Sequence, residues 1–115
     1  MRFSESLKKN SDFQVLYKNG KSFANTYLVM YVFENHSNEN RIGISVSKKV
    51  GNSVVRHRIT RLIRESYRLH ENIFNSGLDI VVIARNSASS VGYIEIESAL
   101  LHLAKLHGVI KIFFN

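Results

Sequence analysis

The 115-residue sequence contains no cysteine, which excludes disulfide bonds and thiolate zinc ligands. No stretch approaches the roughly 20 apolar residues that a membrane-spanning helix needs. The first 14 residues also lack the apolar run of a secretory signal peptide. We therefore expect a cytoplasmic protein that does not enter a membrane.

Motifs for catalysis and metal binding are missing as well. The zinc motif His-Glu-x-x-His is absent, and His102 and His107 lie five residues apart, so they would diverge on a helix. Acids such as Asp12 and Glu95 are scattered and form no recognisable catalytic pair. No glycine-rich loop with Walker spacing is present to hold a nucleotide phosphate. We therefore predict no catalytic residue and no metal site in the polypeptide.

The composition is that of an ordinary globular protein, with 44% hydrophobic and 22% charged residues. A chain of this length has room for one domain with one core, which we place at residues 1–115. Basic residues outnumber acidic ones by 16 to 9, which gives a net charge of +7. This excess indicates nucleic acid as the leading partner, with an anionic membrane surface as the second candidate.

Most of the positive charge lies in one segment, from Lys48 to Arg68. The segment has seven cationic residues and one acid, a net of +6, so the other 94 residues sum to only +1. A charge this concentrated requires an explanation that an evenly spread charge would not.

After Asn52 or Ser53, either of which is a suitable N-cap, this segment has the periodicity of an amphipathic helix ending near Ile73. An inward stripe recurs at steps of four and three residues: Val55, Ile59, Leu62, Ser66, Leu69 and Ile73. A second stripe recurs about 150° away and is formed by one histidine and three arginines: His57, Arg61, Arg64 and Arg68. Glu65 is the only acid beside them. Because solvated faces normally mix charges of both signs, we interpret this face as a polyanion site rather than a plain solvated face. Arginine favours phosphate, since its planar fork binds two phosphate oxygens.

The remaining segments predict a two-layer α/β (α+β) domain in the order helix, strands, helix, strand, helix, with a mixed four-stranded sheet. The last strand is apolar except for Asp79, which is typical of an inner strand paired in parallel across the basic helix. The predicted helices are Asp12 to Asn19, the basic helix, and Tyr93 to Leu106. The predicted strands are Tyr27 to Glu34, Arg41 to Ser47 and Leu78 to Ala84.

Aromatic side chains form a second candidate surface. Phe13 and Tyr17 on the first helix, with Tyr31 and Phe33 on one strand face, could line a single groove. Surfaces that hold single-stranded RNA stack bases on such side chains beside a basic track. The same residues could equally anchor the first helix to the core. The sequence leaves both interpretations open.

Three parts of the chain resemble the protein subunit of bacterial ribonuclease P: the motif Lys9-Asn10-x-Asp12-Phe13, the segment Arg41 to Glu65, and the strand Asp79 to Arg85. The resemblance covers nearly the whole chain and is highly specific from Gly43 to Arg64. There is one departure, because the family's Arg-Asn-Arg signature reads Arg56-His57-Arg58 here. Histidine still donates hydrogen bonds and stacks, so only one contact differs.

The resemblance implies that a large RNA is the catalyst and uses Mg²⁺ to remove the 5′ leader of precursor tRNA, while the polypeptide holds no cofactor. It also implies a left-handed crossover around the basic helix, against the usual right-handed preference. Residues expected to contact the catalytic RNA, including three taken from the charge pattern, are Lys48, Lys49, Arg56, His57, Arg58, Arg61, Arg64 and Arg68. Residues expected to line a cleft for the single-stranded leader are Phe13, Tyr17, Val29, Tyr31, Ser45 and Ser47.

Two other functions compete with this one. A structural RNA-binding protein of the ribosome or its assembly would use the basic helix but would not need a channel for a single strand. A membrane-surface binder would need apolar residues next to the arginines, whereas the apolar stripe lies on the far side of the helix. We expect neither a membrane nor DNA to be a partner.

Overall fold

The computed structural model describes residues 4–111. Five strands form one mixed sheet in the order β1-β4-β5-β3-β2. The elements in chain order are β1 (Ser4–Ser6), α1 (Asn10–Asn19), β2 (Lys21–Ala24), β3 (Leu28–Glu34), β4 (Asn40–Ser45), α2 (Ser53–His70), β5 (Leu78–Ala84) and α3 (Tyr93–His107), with 3-10 turns at Glu71–Ile73 and Asn86–Ala88. In this part of the chain no helix is long and apolar enough to cross a bilayer.

The mixed α/β fold class is confirmed, and each predicted helix and strand is present within about three residues of its expected bounds. The sheet has five strands rather than the expected four. The sequence analysis missed β1 and β2 because they have only three and four residues and no clear apolar alternation.

The central strand β5 pairs in parallel with β4 and antiparallel with β3. Its Ile80, Val81 and Val82 are fully buried, since helices cover both sides of the strand. The predicted parallel pairing across α2 is therefore confirmed. The left-handed sense of this crossover stays a prediction of the family resemblance.

Helices α2 and α3 cover one face of the sheet, where the larger core lies. Its fully buried side chains include Leu28, Met30, Ile80 and Val82 from the sheet, with Ile59, Ile63, Leu100 and Leu103 from the helices. Helix α1 crosses the opposite face as a partial further layer. There Leu16 of α1 packs with Leu7 and with Val81 of β5 in a smaller core. The open part of this second face is the surface on which the predicted cleft lies.

Helix α2 begins at its predicted N-cap, because the Oδ1 atom of Asn52 accepts a hydrogen bond from the amide of Val55 at 3.0 Å. The helix ends at His70, and the three residues expected to complete it form a 3-10 turn instead. Its fully buried residues are Ile59, Ile63, Ser66 and Tyr67. The prediction that Leu69 faces the core was wrong, since this side chain is 52% exposed.

Tyr67 explains why the buried side of α2 is rotated from the predicted stripe. Its hydroxyl shares a hydrogen bond of 2.7 Å with the hydroxyl of Ser4, and its ring packs edge-on against Phe74 with centroids 5.1 Å apart. A buried tyrosine needs a partner for its hydroxyl. Here the partner comes from β1, which helical periodicity within α2 cannot reveal.

Candidate nucleic-acid interface

The exposed face of α2 carries three of the predicted RNA-contacting residues side by side: His57, Arg61 and Arg64. Helical periodicity places them on the side opposite the buried Ile59. None of the three forms a hydrogen bond or ion pair with any residue between 4 and 111. Their donors are therefore available to an external anion. Arg61 and Arg64 carry a permanent positive charge, and we call these two residues the open cations.

Lys48 and Lys49 are exposed in the turn that leads from β4 into α2. The amide of Val50 donates to the carbonyl of Ser47 at 3.0 Å and closes this turn. The two lysines therefore lie near the N-terminal end of α2, where they extend the positive surface.

Arg58 differs from the open cations because it is bound within the protein. Its Nη1 and Nη2 atoms donate to the backbone carbonyls of Val91 and Ser89 at 2.7 and 2.6 Å. Arg58 thus ties α2 to the segment that precedes α3. If Arg58 contacts RNA as predicted, it can use only the guanidinium N–H groups that are not bound to these two carbonyls.

Arg56 lies beside the buried side of α2 and is only partly exposed. Its Nε atom is buried and has no hydrogen-bond partner among the described residues. The two signature arginines thus differ from Arg61 and Arg64, because Arg56 is partly buried and Arg58 is hydrogen-bonded within the protein.

Arg68, the last predicted cation, is paired with Glu65. Its Nε and Nη2 atoms donate to the two carboxylate oxygens at 3.0 and 2.5 Å, and both side chains are 48% exposed. These hydrogen bonds lower the pKa of Glu65 and raise the pKa of Arg68. The pair spans one helical turn, as expected for residues i and i+3.

On the opposite face of the sheet, aromatic rings of α1 and β3 are clustered where the sequence predicts a cleft. The rings of Tyr17 and Tyr31 meet edge-on with centroids 5.1 Å apart, and Phe13 lies 6.3 Å from Tyr17. Tyr17 is 37% exposed. Burial and the neighbouring Tyr31 raise the pKa of Tyr17, while a hydrogen bond with Ser45 lowers it. The net rise keeps the phenol neutral at physiological pH, which suits stacking on a nucleobase.

Phe13 lies directly on the backbone of β4. A Cβ atom added at Gly43 would come within 2.7 Å of the Cζ atom of Phe13, so the close approach requires glycine. Phe13 and Phe33 also pack against the smaller core around Leu16. The anchoring interpretation therefore fits these two phenylalanines, whereas Tyr17 leaves a ring accessible to solvent.

Beside the predicted cleft residues of the sheet lies Ile83, which was not predicted from the sequence. Ile83 of β5 pairs in register with both Val29 of β3 and Ser45 of β4, two predicted cleft residues. All three are partly exposed. Alternation along β5 places Ile83 on this face, but a uniformly apolar strand gives no sign of which residue reaches solvent. Ser47 lies two residues beyond the end of β4, so the strand is shorter than predicted. The contact of Ser47 with the leader stays a prediction.

An ion network holds α1 beside the cleft. Arg41 of β4 donates from Nε to Asp79 at 2.8 Å and from Nη2 to the other oxygen of that carboxylate, and its Nη1 lies 3.5 Å from Asp12 of α1. Asn35 donates a further hydrogen bond to Asp79 at 2.9 Å. The hydrogen bonds to Asp79 raise the pKa of Arg41. This network could not be predicted, because its members are far apart along the chain.

Among residues 4–111, no group of three or more histidines and acids is close enough together to hold a metal ion. The two faces offer different binding chemistry: cations on α2 suit phosphate, and the aromatic and apolar side chains of the opposite face suit bases.

Comparison with known proteins gives the chain a family. A family model described as Ribonuclease P matches residues 1–107. The chain belongs to the ribonuclease P protein family. The prediction made from the motifs is thus confirmed.

Individual members of the family are similar along almost their whole length. The ribonuclease P protein component of Lachnoclostridium phytofermentans is 68% identical, over 94% of this chain and 93% of the relative. That of Alkaliphilus metalliredigens is 52% identical, over 91% and 95%. Among solved structures, the RNase P protein of Staphylococcus aureus matches with a TM-score of 0.86 at 41% identity, covering 94% of this chain and 99% of that one. The Thermotoga maritima protein matches with 0.81 at 34% identity, covering 89% and 96%.

Proposed function

We propose that this ribonuclease P protein docks on a catalytic RNA through the open cations of α2, and that the cleft between α1 and the sheet holds the single-stranded 5′ leader of precursor tRNA. The complex would act in the cytoplasm and produce the mature 5′ end of tRNA. Family membership favours this function over that of a structural protein of the ribosome.

The observation that carries the proposal is the separation of two surfaces with different chemistry. Arg61 and Arg64 present unpaired guanidinium groups, which suit the phosphates of a folded RNA. Tyr17 and Ile83 present an aromatic ring and an apolar side chain, which suit the splayed bases of a single strand. The sheet lies between them, so both RNAs can bind at once.

In this proposal the RNA supplies the chemistry of cleavage, including the Mg²⁺, and the polypeptide supplies binding and orientation. The residues around the cleft fit that division. Burial raises the pKa of the Tyr17 phenol, which therefore stays neutral, and the carboxylate of Asp79 accepts hydrogen bonds from Arg41 and Asn35. These groups suit a scaffold better than an acid–base pair poised for hydrolysis.

A reconstitution experiment tests the proposal. Purified protein, the cognate RNA subunit and both together are incubated with precursor tRNA at low Mg²⁺ concentration. We expect cleavage with the complex, weaker cleavage with the RNA alone and none with the protein alone. Robust cleavage by RNA-free protein would refute the division of labour. A binding assay then compares substrates with and without a leader. If the protein raises the affinity for both equally, the cleft has no role in holding the leader, and the chain is a purely structural RNA binder.

A further inference from the structure

Glu65 is the only acid in the segment from Lys48 to Arg68, and it lies within the basic face rather than away from it. One turn before it is Arg61, and one turn after it is Arg68. An acid at this position lowers the attraction of the face for any polyanion. The structure shows which cation it affects most.

The guanidinium of Arg68 presents two parallel N–H groups to the two oxygens of Glu65, at 3.0 and 2.5 Å. The same fork would otherwise bind two oxygens of a phosphate. The carboxylate thus occupies the phosphate-binding side of Arg68. By contrast, Arg61 and Arg64 have no such partner among residues 4–111.

A phosphate that approaches Arg68 is therefore repelled by the Glu65 carboxylate, which is already hydrogen-bonded to the guanidinium. The hydrogen bonds from Arg68 lower the pKa of Glu65, so the carboxylate remains ionised at the pH at which RNA is bound. Because an exposed ion pair of this kind adds little to folding stability, Glu65 can be replaced without unfolding the chain.

We propose that Glu65 is a specificity-determining residue for RNA docking on α2, acting by occupying Arg68 and repelling phosphate from the C-terminal end of the basic face. A column of unopposed cations attracts every polyanion, since counterion release does not depend on sequence. One acid at the end of the column restricts strong binding to RNAs whose phosphates meet the open cations, and a repulsive element of this kind is a common source of specificity. The inference rests on the docking role proposed above and adds a residue outside the predicted contact set.

The test compares the salt dependence of binding for the full chain and its Glu65→Gln variant. The probes are the catalytic RNA and an unrelated duplex RNA of equal length. For the unrelated RNA we expect Glu65→Gln to steepen the slope of log affinity against log salt by about 0.7–0.9, the value of one added phosphate contact. The catalytic RNA should change less, so the ratio of the two affinities falls several-fold.

Two further variants assign the effect to the pair. Glu65→Gln combined with Arg68→Ala should lose the added slope, because the released fork is then absent. Glu39→Gln removes the same charge from an exposed loop residue outside α2, and it should leave both slopes as they are. A steepening by Glu39→Gln as large as that by Glu65→Gln would reduce the effect to net charge and overturn the proposal.

The proposal is also overturned if Glu65→Gln changes both RNAs equally or neither. A third contrary result concerns Arg68→Ala alone. If this variant flattens the slope of log affinity against log salt for the catalytic RNA as much as Arg61→Ala does, phosphate displaces Glu65 from Arg68 on docking, and the proposal is wrong. Failure of the docking role gives a different result: Arg61→Ala itself leaves the slope for the catalytic RNA unchanged.

Discussion

The basic face of α2 and the contact between α1 and the sheet both use arginine, but they use it in different ways. On α2, Arg61 and Arg64 are exposed and have no partner between residues 4 and 111. Beneath α1, Arg41 is hydrogen-bonded to the buried Asp79 and lies within ion-pair distance of Asp12. An exposed arginine without an internal partner is available for binding, whereas an arginine paired with a buried carboxylate contributes to the fold. Substitution at the two places should therefore separate stability from RNA affinity.

Arg58 shows that the distinction follows contacts rather than position. It lies on α2 between His57 and Ile59, yet two of its nitrogens are bound to the carbonyls of Ser89 and Val91. By its contacts Arg58 belongs with Arg41, as an arginine that joins two elements. Counting arginines on a helix face therefore overstates how many are available to RNA.

The largest effect on stability within this comparison is expected for Arg41→Ala. Asp79 is only 3% exposed, so the variant leaves a buried carboxylate without its cation, a loss that typically costs about 3–5 kcal/mol. We expect a value near 3 kcal/mol, because Asn35 still donates to Asp79. The measurement is the free energy of unfolding in urea.

The control for this prediction is Arg61→Ala, which removes the same side chain from an exposed position. If both variants unfold at the same urea concentration, the network under α1 does not support the fold as described. The Asp12→Asn variant, which weakens only the longer contact of 3.5 Å, should lose much less than Arg41→Ala.

The difference between the two regions also explains what could be predicted from sequence. The cationic face of α2 and its N-cap Asn52 depend on spacing within one helix, so they could be predicted before the structure. The ion pair between Glu65 and Arg68 is equally local, although spacing alone does not decide between Arg61 and Arg68 as the partner of Glu65.

The parts that could not be predicted depend on contacts between distant segments. Tyr67 is buried because Ser4 and Phe74 meet it, and Arg58 is engaged because the segment before α3 folds back against α2. Ile83 is partly buried because it packs against a cluster formed by Leu7, Leu16 and Val81, which come from three different segments. The periodicity of residues within one helix or strand carries no information on these contacts between segments.

A smaller effect, on binding rather than stability, is expected for the cleft. Tyr17→Ala removes the exposed ring at the predicted cleft, and loss of one base–aromatic stack costs about 1–3 kcal/mol. We expect leader-bearing precursor tRNA to bind the complex more weakly by this amount. Mature tRNA, which has no leader, should bind as before.

Tyr17→Phe is the matched variant, because it keeps the ring and removes only the hydroxyl that bonds Ser45. It should bind leader-bearing substrate nearly as well as the original protein. Equal weakening with both tRNAs, or a loss of folding in Tyr17→Ala, would return Tyr17 to a role in anchoring α1.

The smallest change in stability is expected for the open cations, where the change in salt dependence is the informative quantity. Arg61→Ala and Arg64→Ala each remove one phosphate contact and should flatten the slope of log affinity against log salt by about 0.7–0.9 for the catalytic RNA. Their free energy of unfolding should shift by less than about 0.5 kcal/mol, because the side chains are exposed and lie among like charges.

The matched control for the arginine variants is Ile63→Ala, which lies on the buried side of the same helix. It should lower the free energy of unfolding by about 2–5 kcal/mol, because it leaves a cavity. The salt slope of the folded variant should stay unchanged. Leu62→Ala should cost less than Ile63→Ala, since Leu62 is only partly buried. If neither arginine variant changes the salt slope, the basic face of α2 is a solvated surface and RNA docks elsewhere.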